Sequence, residues 1–475
     1  MKEHFVARVL IAVVCTGAVL GGSSRIMAAE AKDTPGPPAT KPSTTLPPAF
    51  LKLVKEKRAL EERIAKKHGL KAPSQVWDFF TAAGKGDWAA TSNLFYSLKD
   101  GVYPGSGERW LPKPLWGAIH DTFGVYEAIV EWSPELLNLV SAGMVKSIPP
   151  GSIYFGGNAI GRFGPTLQSS SHSEGRPFFT LTQNALADET YVGYLRDMYG
   201  EKIFIPGTNE AAQCIAQYTE DAGRRLKHDQ EFPNEPRQIR PGEDVRFVGG
   251  KTEVNGHVSV MGMNALIVKM IFDRNPRHEF YYEESFPLDW VNLHLIPHEF
   301  VFKLNRQPLA EIPPAAVRAD REFWSRHAGT WLGAWLGIDT PIGDVTNFVI
   351  RTFGERNLKQ FKGDPRFIQD GEARKSFSKM RCAVGGLYAW RATTAKNREE
   401  RQRMVAEADF AFRQAFAFAP TSPEVIFRYI SLLMMDGRTE DALRVAGAAQ
   451  SLDPESGQWG NLVSELTRIK RTPGD

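Results

Sequence analysis

The chain has 475 residues, of which 42% are hydrophobic and 11% aromatic, so about two to four folded domains are expected. Its net charge is only +3 and its basic residues are dispersed, which argues against nucleic acid as a partner. The three cysteines form neither a disulfide framework nor a zinc pattern, and we expect Cys214 and Cys382, in apolar helical segments, to be buried rather than paired.

The N-terminus has the pattern of a secretory signal peptide. Basic Lys2 and Arg8 precede an apolar run from Val9 to Leu20, which is too short to span a bilayer comfortably. Small residues follow, and the predicted signal peptide covers residues 1–29, with a retained membrane anchor as the alternative. No later run is apolar enough to cross a membrane. We therefore expect an exported protein, periplasmic or extracellular, with no stable transmembrane span after signal cleavage.

The next part of the chain changes from linker to helix. Residues 30–49 are rich in Pro and Thr, a composition that stays extended and predicts a linker. Residues 50–145 then place apolar residues at helical spacing with charges between them. This pattern predicts a helical N-terminal segment.

Residues 146–310 predict an α/β (α+β) central domain with a mixed or parallel sheet. Short apolar strands are predicted at SIYFGG, PFFTLTQ and KIFIP, with a helix capped by Asp188 and Gly200 between the second and the third. A hairpin is expected across Gly249 and Gly250. The segment HEFVFKLNR closes the domain as a final strand.

A glycine-rich loop lies between Ile148 and Gln168, and it either cradles a phosphate or only turns the chain. Its glycines miss the spacing of the dinucleotide fingerprint, and no Gly-Lys-Ser/Thr follows them. Pro165 is expected to interrupt any helix directly after the loop. These features favour a structural turn, with Arg162 as the residue that could still meet an anion.

Ligands of open α/β sheets bind at the carboxyl ends of the strands. Polar side chains follow the second predicted strand in the segment LTQNALAD, next to the glycine-rich loop. If this domain binds a small ligand, a glycan or an anion, six residues are expected to face it: Asn158, Arg162, Gln183, Asn184, Asp188 and Tyr191.

Catalytic patterns are largely missing from the sequence. His294 and His298 are separated by Pro297, which makes a regular helix there unfavourable and a metal site unexpected. Glu283 and Glu284 could do acid–base work on a glycosidic bond, but neighbouring side chains of a strand point to opposite faces. The sequence therefore predicts no catalytic residue, no metal ligand and no cofactor.

Residues 311–475 predict an all-helical domain, and residues 376–456 carry an internal repeat. Four positions recur with an offset of 34 residues, which is the period of tetratricopeptide repeats. Small residues at the first and third of these positions let paired helices approach closely, and each proline should stop a helix. The first set is Ala408, Phe412, Ala415 and Pro420, and the second is Ala442, Ala446, Ala449 and Pro454.

The segments IPPGSIYFGG and PFFTLTQNALADETYVGYLRDMYG resemble the soluble tail of bacterial protein O-mannosyltransferase-like membrane proteins with tetratricopeptide repeats. The likeness covers residues 148–200 and extends more weakly to HEFVFKLNR. The acidic residues of that family's loop are absent here, and so is its membrane-embedded part, in which catalysis is expected. The resemblance thus implies a soluble relative without the catalytic body.

Two classes of function follow from these patterns. The favoured one is an exported, non-catalytic binding or scaffold protein, whose helical repeats present a concave surface to a protein or peptide and whose α/β domain holds a glycan or anion site. The alternative is a carbohydrate-active enzyme or an accessory of a glycosyltransferase system. A convergent carboxylate cluster in one deep pocket would favour the alternative.

Overall fold

The computed structural model describes residues 46–101, 111–157, 159–286, 288 and 290–471. The predicted signal peptide, most of the predicted linker and Asn158 lie outside these residues. Two compact units divide the chain between residues 288 and 289. The predicted N-terminal helical segment therefore shares a unit with the parallel strands.

Five helices open the first unit. Pro48 begins the first of them, so the last two residues of the predicted linker are helical, since proline is well tolerated in a first helical turn. Asp87 caps the third helix by accepting a hydrogen bond from the Ala90 amide at 3.0 Å. The five helices are α1 (Pro48–Lys67), α2 (Ser74–Lys85), α3 (Trp88–Asp100), α4 (Trp116–Glu131) and α5 (Pro134–Ser147).

Three short parallel strands form the sheet of the first unit. β1 (Ile153–Gly156) pairs with β2 (Phe179–Thr182) on one side and with β5 (Phe280–Tyr282) on the other. Ile153 is level with Phe179 and with Phe280. All residues of the three strands are buried, as is usual for parallel strands, which are covered on both faces. Helices α6 (Ala159–Gln168) and α7 (Glu189–Tyr199) follow β1 and β2.

The predicted strand KIFIP is wrong, because residues 202–206 form no strand. The backbone of Phe204 bonds to a side chain instead: its N–H donates to Asn275 Oδ1 at 2.8 Å, and Asn275 Nδ2 donates to its carbonyl at 3.0 Å. One side-chain amide thus satisfies the two backbone groups that a neighbouring strand would otherwise pair. β5 lies beside β1.

The predicted hairpin across Gly249 and Gly250 is confirmed. β3 (Asp244–Val248) and β4 (Lys251–Asn255) pair antiparallel, and both glycines have positive φ angles, 56° and 79°, as a tight turn between them requires. Two long helices, α8 (Thr208–Glu231) and α9 (His257–Arg274), flank the hairpin in sequence. Tyr218 of α8 and Met263 of α9 pack with Val245 and Val254 of the hairpin.

The second unit begins with a hairpin and continues as helices. β6 (Leu295–His298) and β7 (Val301–Leu304) pair antiparallel, so HEFVFKLNR does contain a strand, as predicted. A π-helical turn, Ile350–Gly354, continues α11. The helices are α10 (Pro314–Leu332), α11 (Ile342–Val349), α12 (Pro365–Gln369), α13 (Gly371–Thr394), α14 (Arg398–Phe418), α15 (Pro423–Met435), α16 (Thr439–Leu452) and α17 (Gly457–Arg471).

The alanines and Phe412 of the 34-residue spacing lie in α14 and α16, and its two prolines lie just after these helices. Their small side chains are buried, and Pro420 and Pro454 each follow the last residue of a helix by two positions. Close packing extends to α13, where a Cβ on Gly385 would lie 2.9 Å from the ring of Phe412. The buried members are Ala408, Phe412, Ala415, Pro420, Ala442, Ala446 and Ala449.

The protein thus combines a few short parallel and antiparallel strands with many helices, a mixed fold in which helix dominates. Cys214 and Cys382 are both buried, and no disulfide joins them, as expected. Among the helices of the described residues, none has the length and apolar character needed to cross a membrane.

Candidate functional site

The glycine-rich loop leads directly into a helix, so the expectation that Pro165 would prevent one is wrong. α6 begins at Ala159, directly after the loop, and contains Pro165. Proline removes one backbone donor, but the next turn is held by the Ser169 amide and hydroxyl, which donate to the Pro165 carbonyl at 2.9 and 2.7 Å. The loop therefore has the strand–loop–helix form of many anion sites.

A carboxylate of the chain itself lies at the start of this helix. The Gly157 amide donates to Glu283 Oε2 at 3.0 Å, and Glu283 directly follows β5. A Cβ on Gly161 would overlap the same oxygen, so glycine is needed for this approach. Helix N-termini attract negative charge, and here Glu283 supplies it. An external anion would have to displace or repel this carboxylate.

Gln183 joins Gly157 and Glu283 at the carboxyl ends of the strands. Its side-chain amide donates to the Glu283 carbonyl, and it is fully buried. A Cβ on Gly157 would lie 2.7 Å from Gln183 Nε2, so these groups leave no space between them. Burial, together with the nearby charge of Glu283, raises the pKa of the Tyr154 hydroxyl well above its usual range. We call Tyr154, Gly157, Gly161, Gln183 and Glu283 the strand-end cluster.

Arg162 of α6 forms a buried ion pair with α4. Its Nε and Nη2 donate to Asp121 Oδ1 of α4 at 3.1 and 2.7 Å. Its guanidinium also lies 5.0 Å from the ring centre of Tyr191, within the range of a cation–π contact. A guanidinium held in this way is not available to an external anion.

A second cation shares Asp121. Lys57 of α1 donates to Asp121 Oδ2 at 2.8 Å, to His172 Nδ1 at 2.7 Å and to the Tyr194 hydroxyl at 2.8 Å. Tyr194 in turn donates to Asp121 Oδ2 at 2.8 Å. Lys57 is completely buried. We call Lys57, Asp121, Arg162, His172 and Tyr194 the buried ion cluster.

The charges of this cluster follow from its burial. Burial alone would raise the pKa of Asp121, but Lys57 and Arg162 outweigh it and hold that pKa well below its usual range. Burial, reinforced by the charge of Lys57, lowers the pKa of His172 to about 3, so this imidazole is neutral and its Nδ1 can accept. The cluster thus contains one ionised carboxylate and a neutral imidazole, fully enclosed.

Glu61 lies one turn after Lys57 in α1 and is completely buried. Neither of its carboxyl oxygens has a hydrogen-bond partner among the described residues. Burial, opposed in part by the charge of Lys57, raises its pKa well above the usual range. The folded protein therefore binds this proton more tightly than the unfolded chain does.

Glu61→Gln should gain stability relative to the wild type as the pH rises. Below the unfolded pKa of about 4.3, the proton on Glu61 makes its full contribution to the free energy of unfolding of the wild type. Between this pH and the higher pKa of the folded state, that free energy falls by about 1.4 kcal/mol per pH unit. Glutamine stays neutral throughout. Urea unfolding at several pH values between about 4.5 and 7.5 measures the difference. The exposed neighbour Glu62 gives the control Glu62→Gln, for which the difference should stay constant; the same constancy for Glu61→Gln would contradict a bound proton.

The six predicted ligand-facing residues do not form one group. Gln183 belongs to the strand-end cluster and Arg162 to the buried ion cluster. The Tyr191 hydroxyl is buried and accepts from the Thr182 amide at 2.8 Å. Asn184 is half-buried, and its carbonyl accepts from Asn264 at 3.4 Å; exposed Asp188 caps α7 through the Thr190 amide at 2.8 Å, as predicted. Asn158 lies outside the described residues.

Lys57, Asp121 and His172 were not predicted as site residues. Lys57 is separated from Asp121 by 64 residues and from His172 by 115, and no local pattern links them. The sequence places Glu283 next to Glu284 and contains no pattern that places it at the start of α6. The glycines at positions 157 and 161 are the signal that could have pointed to it, because they indicate a close approach to the backbone.

No set of three or more His, Cys, Asp or Glu side chains within the described ranges could hold a metal ion. Comparison of the chain with protein-family models, curated protein sequences and solved structures gives no match.

Proposed function

We propose that the protein is an exported, non-catalytic binding protein whose C-terminal helices hold a protein or peptide partner. One observation carries this proposal: the charged side chains of the buried ion cluster in the first unit are enclosed and paired with one another. An acid, base or nucleophile must reach its substrate, and Lys57, Asp121 and Arg162 are turned inward. This arrangement supports a structural role for them.

The C-terminal helices supply the proposed binding surface. In α15, Glu424, Arg428, Ser431 and Met435 are half-buried and recur at intervals of three and four residues, so they share one face. Glu424 and Arg428 pair at 3.1 Å. Across from them lies Gly386 of α13, where a Cβ would come within 3.0 Å of Arg428 Nη1. We call these four residues the α15 stripe, and its polar, half-open character suits an extended peptide.

The proposal retains the likeness to O-mannosyltransferase-like proteins as its evolutionary interpretation: a soluble relative without the membrane-embedded catalytic part. Under this interpretation the strand ends of the first unit keep a recognition role at most. Glu283 at the helix start disfavours an anionic ligand there, so a glycan, which carries hydroxyl donors, is the better candidate for that edge.

Site-specific photo-crosslinking tests the proposal. Benzoylphenylalanine replaces Ser431 in the α15 stripe or, as the control, the exposed Ser451 of α16, in the full chain mixed with envelope extract. We expect a discrete adduct from position 431 and none from 451, because only the stripe is proposed to touch the partner. Arg428→Gln should weaken the adduct without placing two carboxylates one turn apart, and its melting temperature shows whether the variant stays folded. Equal adducts from both positions, or none from either, would reject the proposal.

A further inference from the structure

A short segment of the second unit displays cations without partners. Arg351, Arg356, Lys359 and Lys362 are all exposed, and Glu355 is the single acidic residue among residues 351–362. None of the four cations forms an ion pair within the part of the chain that the structure describes. We call these four residues the basic loop. Like charges this close in sequence repel one another, so their clustering does not serve stability.

The backbone of this segment is nevertheless well anchored. The amides of Glu355 and Asn357 donate to the carbonyls of Ile350 and Arg351 at 2.9 Å each. Asp364 N–H donates to the Trp331 carbonyl at 3.0 Å, which fixes the far end of the loop to α10. The cations are therefore presented by an ordered backbone, and binding would require little additional ordering of the chain.

The same segment contains backbone strain. Arg356 and Gln360 have φ angles of 51° and 64°, a left-handed conformation that costs non-glycine residues roughly 1–2 kcal/mol each. Strain of this kind is found at functional sites more than elsewhere. Together with the unpaired charges, it indicates that this loop is shaped for contact with something outside the chain.

Half-buried apolar side chains lie among the cations. Leu358 and Phe361 are partly exposed in the loop, and the Phe361 ring lies 6.2 Å from that of Phe348. None of the exposed large apolar side chains of the described residues lies in this segment, so nothing projects far enough to enter a bilayer. Cations beside shallow apolar surface match a peptide that carries both carboxylates and apolar side chains.

We propose that the basic loop binds an acidic, partly apolar peptide segment of a partner protein. This inference rests on the proposed function, to which it adds the chemistry of the partner and a second binding surface in addition to the α15 stripe. Carboxylates of the peptide would pair with Arg356, Lys359 and Lys362, and its apolar side chains would cover Leu358 and Phe361.

Fluorescence anisotropy with the full chain tests this proposal. The probe is a labelled twelve-residue peptide of glutamates with two leucines, compared with the same peptide carrying lysine for glutamate. We expect the acidic probe to bind and to weaken markedly between low and moderate salt, because exposed charges are screened. The variant R356E/K359E/K362E should lose at least tenfold in affinity. The matched control K396E/R398E/R401E reverses three exposed cations at the start of α14 and should bind as the wild type does, with both variants checked for unchanged melting.

Three outcomes would overturn the inference: no binding of the acidic probe at low salt, an equal loss in both triple variants, or binding of phosphatidylglycerol vesicles without binding of the peptide. If any of these occurs while the adduct at position 431 persists, only the acidic-peptide inference fails. If the adduct is also absent, the proposed function fails with it.

Discussion

Asp121→Ala is expected to be the most damaging single substitution in the first unit, lowering the free energy of unfolding by about 3–5 kcal/mol. The substitution leaves the Lys57 ammonium and the Arg162 guanidinium buried without their shared carboxylate. A buried charge that loses its partner bears its full desolvation cost. Urea unfolding followed by circular dichroism measures the loss.

Two further variants test whether the loss of stability comes from the two buried cations left without a partner, and not from the loss of a carboxylate in general. Asp197 pairs with Lys67 and His68, whose side chains are 61% and 37% exposed, so Asp197→Ala should cost no more than about 1 kcal/mol. The triple variant K57M/D121L/R162M removes all three charges and should recover most of the stability. A triple variant as unstable as Asp121→Ala would contradict the role assigned to the unpaired cations.

Glu283→Ala should be the second most damaging change, costing about 2–3 kcal/mol. It removes the acceptor of the Gly157 amide and the negative charge at the start of α6. Because the deleted group is a carboxylate, formate should restore part of the lost stability by entering the space. The measurement is the melting temperature of wild type and variant, each in sodium formate and in sodium chloride of equal ionic strength.

Formate should raise the melting temperature of the variant more than that of the wild type, while chloride should affect both equally. A wild type that gains as much from formate as the variant would mean that the helix start is open to external anions despite Glu283. That result would remove the argument against an anionic ligand at the strand ends.

Local chemistry explains what the sequence predicted well. Asp188 caps α7 because an aspartate can bond to an amide two residues later, and Gly249 and Gly250 turn the hairpin because they tolerate positive φ. Such features need no knowledge of distant residues. The strand at KIFIP was predicted wrongly because Asn275, far along the chain, takes both backbone groups of Phe204.

The candidate site depends on contacts between residues that are far apart in the sequence. Gln183 could be predicted because polar residues at strand ends are a local pattern, but the position of Glu283 at the start of α6 depends on the order of strands in the sheet. Arg162 has the chemistry of an anion ligand, and only the fold shows that Asp121 already satisfies it. For paired charges, sequence indicates what a side chain can bind, and tertiary structure decides what it does bind.

The geometry around Lys57 also limits how the first unit can be divided. Its ammonium contacts residues from three other segments: Asp121 of α4, His172, and Tyr194 and Met198 of α7. Met198 is the most distant of them, 141 positions away. A shortened chain that ended between Asp121 and Tyr194 would lack some of the groups that contact the Lys57 ammonium. The lysine would then be buried without those partners, or it would be exposed to water together with the core around it. Limited proteolysis should therefore leave no persistent folded piece that contains Lys57 and Asp121 but lacks Tyr194 and Met198, and a shortened chain should keep at least residues 57–198 together.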